Sequence, residues 1–177
     1  MTNNSIIRVL FMGTPGFAVP IFESLHNAKE YEIIGVITQP DRPVGRKQAA
    51  TPSPIKIAAR GHRIPVLQPE RLRNPEAVAT IKELNPDLIV VAAYGQIIPK
   101  AILEIPRFGA VNVHPSLLPK YRGASPIQAA IANGDTVTGV TIMLLDEQLD
   151  HGPLLADRAV AIAPTDTSGT LSERLAQ

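Results

Sequence analysis

The sequence predicts an α/β fold, a Rossmann-like open sheet that is mostly parallel and carries helices on both faces. Short β-branched runs alternate with stretches of helical spacing, the order of repeated strand–helix–strand units. The run DLIVVAA (87–93) is apolar without alternation, as a strand covered on both faces should be. With 177 residues, 45% of them apolar and 19% charged, the chain is suited to one well-buried domain. Aromatic residues make up 4% and there is no Trp, so the core is expected to be aliphatic.

IIRVLFMG (6–13) is the first buried-strand candidate, and the turn Gly13-Thr14-Pro15-Gly16 follows it. Phe17, Ile21, Phe22 and Leu25 then recur at helical spacing through residue 28. A second strand is expected at IIGVIT (33–38), a helix at PIKIAAR (54–60) with proline in its first turn, and a third strand at IPVLQP (64–69). NPEAVATIKELN (74–85) reads as a helix capped by Asn74 with Pro75 at its first position. After the apolar strand come AVNVH (110–114), a helix around Ser125–Asn133, and two late strands at 137–146 and 153–164. DTSGTLSERLAQ (166–177) begins a helix with Leu171 and Leu175 on one face. A helix that short is marginal alone, so residues 1–177 are expected to be one domain of a longer protein.

Charge and composition narrow the function. The net charge is +1, which excludes a general polyanion binder, yet residues 39–63 hold six Lys/Arg against one Asp. That segment could meet phosphate or simply be a solvated face. The absence of cysteine excludes disulfides and thiolate chemistry. The four histidines show no ligand spacing, so no metal is expected. MTNNSIIRVLF has no signal-peptide pattern and no stretch could span a bilayer, so the expected home is the cytoplasm. The GTPG turn lacks both the dinucleotide and the P-loop patterns and reads as a tight strand–helix connection.

The stretch AVNVHPSLLPKYRGASP (110–126) carries the chemistry. Alternation puts Asn112 and His114 on one face of a strand, near its carboxyl end, where open α/β sheets gather their ligands. An amide N–H can donate to an oxyanion while an imidazole manages a proton, which suits acyl transfer. Equally, polar residues end many strands for turn formation alone. An acid to orient the imidazole has three candidates in LLDEQLDHGP (144–153), namely Asp146, Glu147 and Asp150. Pro115, Pro119, Gly123 and Pro126 stiffen the loop beyond.

Together FMGTPGFA, TQPDRPVGRK, TPSPIKIAA, PDLIVVAAYGQIIPK, NVHPSLLPKYRGASPIQ, TGVTIMLLD, LDHGP and DTSGTL resemble the N-terminal catalytic domain of the methionyl-tRNA formyltransferases. The NVHPSLLPKYRGASPI block is common to folate-dependent formyltransferases, and the PDRPVGR…SPIK insertion narrows the resemblance to those acting on tRNA. The resemblance implies 10-formyltetrahydrofolate as co-substrate, initiator methionyl-tRNA as acceptor, no metal and a monomer. It assigns catalysis to Asn112, His114 and Asp150. It assigns the reduced folate to Tyr94, Gly95, Gln96 and Ile97 on one wall and Ser116, Leu117, Leu118 and Pro119 on the other. tRNA contact falls to Arg42, Arg46 and Lys47.

Members of the family continue into a β-barrel domain that contacts tRNA, which these residues do not encode. The chain also departs from its relatives at Gln148, where glycine is common, at His151, where a small residue is usual, at Gly16, where an acid is usual, and in GRKQAA, which has fewer lysines. Two other readings stand beside the leading one. The acceptor could be a nucleotide-linked or sugar amine, or the domain could bind folate or nucleotide without catalysis.

Overall fold

A computed structural model describes residues 6–44 and 49–177. The order of elements is β1 (Ile7–Gly13), α1 (Ala18–Asn27), β2 (Tyr31–Ile37), β3 (Arg42–Val44), β4 (Ala49–Thr51), α2 (Pro54–Gly61), β5 (Val66–Leu67), α3 (Pro75–Leu84), β6 (Leu88–Ala92), α4 (Lys100–Leu103), β7 (Ala110–His114), α5 (Pro126–Ala132), β8 (Val137–Leu144), β9 (Leu154–Ala161) and α6 (Ser168–Leu175). Seven strands form one sheet in the order β5-β2-β1-β6-β7-β8-β9. The first five pair in parallel, and β8 and β9 pair antiparallel. The mostly parallel sheet expected from the sequence is the one observed.

Period-two alternation explains why β1 carries no polar stripe. Val9 and Phe11 pack on one face with Phe22 of α1, Ile55 of α2, Ile127 of α5 and Leu171 of α6. Leu10 and Met12 pack on the other with Ile81 of α3 and Ile102 of α4. Helices therefore cover both faces of β1, and each residue from Val9 to Met12 has an apolar partner layer. At the end of β1 the main chain comes so close to its neighbours that a Cβ on Gly13 would stand 2.7 Å from the Ala18 Cβ.

Local chemistry fixes the helix starts. The Ser53 hydroxyl accepts from the Lys56 backbone N–H ahead of Pro54, and Thr167 forms a reciprocal capping box with Thr170. Asn74 occupies the cap position of α3 without a side-chain hydrogen bond to it. The third strand is shorter than 64–69: only Val66 and Leu67 pair with β2. Pro65 and Pro69 bracket it and have no N–H to donate. The β3–β4 hairpin lies inside the basic segment and α4 follows Pro99; neither has a clear periodic signal, because both are too short to show one. Among the described residues, no helix is long and apolar enough to cross a membrane.

The terminal helix α6 docks through Leu171 and Leu175, which are 0% and 4% exposed. Leu171→Ala is expected to cost about 2–5 kcal/mol of unfolding free energy. Thr167→Ala, which removes only the cap, should cost about 1 kcal/mol. Urea unfolding of the two variants separates packing from capping.

Candidate active site

Two loops converge on β7. Asn112 and His114 project from the face that also carries Ala110, and Ala110 belongs to the α3–α4 core layer. The β8–β9 connection leaves β8 at the opposite end, where the Leu145 N–H donates to the Ala110 carbonyl. It nevertheless delivers Asp150 to both side chains, so it runs back along the face of β7 before rejoining the sheet. The Asn112 Nδ2–H donates to Asp150 Oδ1 at 3.3 Å, and His114 Nδ1 lies 3.7 Å from the same oxygen. Asp150 Oδ2 accepts the Gly123 backbone N–H at 2.8 Å.

Asp150 is 6% exposed and His114 4%, so each depends on protein partners rather than water. The His114 Nε2–H donates to the Tyr121 carbonyl oxygen at 3.0 Å. That bond puts the ring proton on Nε2 and presents Nδ1 to the carboxylate. Asn112 spends one amide hydrogen on Asp150 and has a second that can meet a ligand oxygen.

The candidate acids separate cleanly. Glu147 pairs with Lys100 at 2.8 Å, and Asp146 accepts the Gln148 backbone N–H at 2.8 Å in a local turn. Only Asp150 reaches His114. It sits at φ 49°, with Tyr121 at 58° and Ala93 at 49°, so residues in left-handed backbone gather around this centre. Such conformations cost about 1–3 kcal/mol each and persist where surrounding contacts over-determine them. The loop's return to the sheet also needs glycine at 152, since a Cβ there would stand 2.0 Å from the Leu144 carbonyl oxygen. Gln148 and His151 are exposed.

The 115–123 loop is anchored from beneath. The Ser116 hydroxyl is buried and donates to the Lys120 carbonyl at 2.6 Å, while Thr141 donates to the Ser116 carbonyl. The Leu118–Pro119 peptide is cis. Tyr121 donates from its hydroxyl to Asp135 at 2.7 Å, and Lys120 pairs with the same carboxylate at 2.8 Å. The motif does not show these contacts, because Asp135 is a lone acid after α5 and the groups that meet His114 and Asp150, the Tyr121 carbonyl and the Gly123 N–H, are backbone atoms.

The 93–99 segment follows β6, the strand that pairs with β7. Ile97 is 84% exposed and Gly95 takes φ 88°. The Tyr94 side chain points the other way, into the apolar layer, where its hydroxyl has no hydrogen-bond partner and burial pushes its pKa up to about 12. The Tyr94 carbonyl accepts from Thr14 and Gln39, and Gln96 accepts the Leu72 N–H. Tyr94, Gln96 and Ser116 thus hold their own segments in shape, while Gly95, Ile97 and Pro119 reach the surface. Arg42 is exposed at the start of the β3–β4 hairpin; Arg46 and Lys47 fall outside the described residues. No group of side chains able to hold a metal occurs among the described residues.

Residues 7–177 match the formyl transferase family. The chain belongs to this family. It is 54% identical over 169 residues to a methionyl-tRNA formyltransferase of Chloroflexus aurantiacus and 52% identical to one of Geobacter metallireducens, in each case across 96% of this chain and 54% of the relative. The chain therefore spans about half the length of these curated relatives. Among solved structures, the phosphoribosylglycinamide formyltransferase of Bacillus halodurans superposes with a TM-score of 0.77 at 30% identity, covering 95% of this chain and 87% of that one. The formyltransferase fold is thereby the fold of this chain.

Asp135 supplies a pH test of the loop. Its carboxyl is held below the ordinary 3.8 by the Lys120 hydrogen bond first and by Tyr121 second. A depressed folded-state pKa means this stabilisation is full above 3.8 and is lost as pH falls through the lower folded value. Acid unfolding followed by circular dichroism should therefore show Asp135→Asn losing less stability than the parent between pH 4 and pH 2.

Proposed function

We propose that residues 1–177 form the catalytic domain of an enzyme that moves a formyl group from 10-formyltetrahydrofolate to the α-amine of methionyl initiator tRNA. The single observation that carries the reading is the convergence of Asn112, His114 and Asp150 at the mouth between two loops. The relatives named as methionyl-tRNA formyltransferases support the choice of acceptor. The assignment places the protein in the cytoplasm, acting as a monomer, with a tRNA-contacting β-barrel supplied by the part of the relatives that this chain does not span.

In this reading the amine nitrogen attacks the formyl carbon, and the carbonyl electron pair moves onto oxygen. The free Asn112 N–H donates to that oxyanion, the contact that strengthens as charge develops. His114, held by its Nε2–H bond to the Tyr121 carbonyl, stands beside the same centre, and Asp150 stabilises the imidazolium when Nδ1 holds the amine proton. The C–N bond to the folate nitrogen then breaks, and that nitrogen receives the proton as the tetrahydrofolate leaves. Gly95, Ile97 and Pro119 line the donor cleft in this assignment, with Leu117 and Leu118 behind the loop, and Tyr94, Gln96 and Ser116 shape it from within. Arg42, Arg46 and Lys47 meet the acceptor, since a guanidinium matches phosphate with its planar fork.

Two outcomes check this. Asn112→Ala is expected to lower single-turnover formylation by about 10²–10³-fold, with a smaller effect on reduced-folate binding. Arg46→Ala should weaken use of charged tRNA and leave folate binding intact, measured by acceptor titration and folate fluorescence. Formyl transfer to methionyl-tRNA compared with transfer to nucleotide-linked and sugar amines decides the acceptor; a preference for the small amines would sink the tRNA assignment.

A further inference from the structure

Lys56 is a buried cation that the chemistry above does not use. It is 6% exposed and lies in the first turn of α2, where the helix dipole disfavours positive charge. Its ammonium donates to Asp41 Oδ2 and to Gln68 Oε1, both at 2.6 Å. Gln68 closes the ring, donating to Asp41 Oδ1 at 2.7 Å and to the Gln39 carbonyl at 2.9 Å. The Asp41 side chain is 30% exposed, so the pair is only partly buried; such a pair is weak as a source of stability, and its better-attested use is to fix one geometry among several.

What it fixes is legible in the neighbours. Asp41 immediately precedes Arg42, the first residue of β3. Gln39, the next polar group inward, donates through its side-chain amide to the Tyr94 carbonyl at 3.2 Å. Gln96 donates to Gln39 Oε1 at 3.4 Å, and Thr14 donates to the Tyr94 carbonyl at 3.0 Å. An unbroken polar chain thus joins the root of the exposed β3–β4 hairpin to the turn on the donor wall.

We propose that Lys56 is a positioning residue for the acceptor: through Asp41, Gln68 and Gln39 it locks the β3–β4 hairpin to the Tyr94–Gln96 turn. The hairpin is only three residues per strand and, among the described residues, its strands pair only with each other, so what holds its root bears on its direction. With Lys56 in place, a phosphate-bearing acceptor gripped at Arg42 arrives in register with the donor. The acceptor half of this inference rests on the function proposed above; the mechanical link does not.

The test uses Lys56→Met and the double variant Asp41→Asn/Lys56→Met, which leaves no unpaired charge. Amide hydrogen exchange should rise in Lys56→Met at both 39–44 and 94–96. The KM for methionyl-tRNA should rise roughly 10- to 100-fold, the scale of a small misplacement, with kcat and reduced-folate affinity within about twofold. The double variant should regain thermal stability without regaining the acceptor KM. Exchange that rises only within α2, or a KM that recovers together with stability, would overturn the proposal and leave Lys56 a structural ion pair. If the parent makes no formyl product, the functional reading fails and the acceptor half with it. The exchange pattern then still decides the mechanical link.

Discussion

The arrangement of the site depends on one buried carboxylate. Taking Asp150 out of water is unfavourable unless its oxygens are met by donors; the Asn112 amide and the Gly123 N–H supply them from two separate parts of the chain, with the His114 ring beside the first. Asn112 and His114 stand on the strand, and Gly123 brings the stiff loop. Satisfying this carboxylate therefore assembles the centre: neither loop can move away without leaving a charge unpaired in a low-dielectric place. That coupling gives a physical reason for the left-handed backbone at Asp150 and Tyr121, whose cost the surrounding hydrogen bonds offset.

The sheet supplies what those loops need to hold on to. Its parallel half is covered by helices on both faces, so β6 and β7 are fixed by packing as well as by their ladders. The turn to antiparallel pairing at β8 produces a hairpin connection that is free to fold back over β7. A parallel continuation would have required a crossover of a dozen residues or more at the other end of the sheet. The centre thus sits where the two sheet regimes meet.

Much of this was readable in the sequence because it depends on periodicity. The unalternating run of β6 announced a doubly covered strand, and Asn112-x-His114 announced a shared face. The family resemblance singled out Asp150, and the structure gives the geometric reason. Asp146 and Glu147 are equally plausible by composition, but the first is consumed by a local turn and the second by Lys100. The rest was hidden for definable reasons. Backbone donors such as Gly123 N–H leave no trace in residue type, and Asp135 is distant from the loop it anchors. The β3–β4 hairpin is too short for alternation to show, and Tyr94 looked like a ligand contact while its ring belongs to the core.

The return of the β8–β9 connection over the face of β7 separates two rates of change. Strand residues are held from both sides, so they tolerate little but volume-conserving exchange. The stretch between Asp146 and Leu149 is exposed and closes on itself, and lengthening such a loop costs little entropy. Relatives can therefore remodel the rim beside the carboxylate while the frame stays still, provided the glycine that lets the chain pass Leu144 remains. One scaffold can then carry rims of different size around the same three groups.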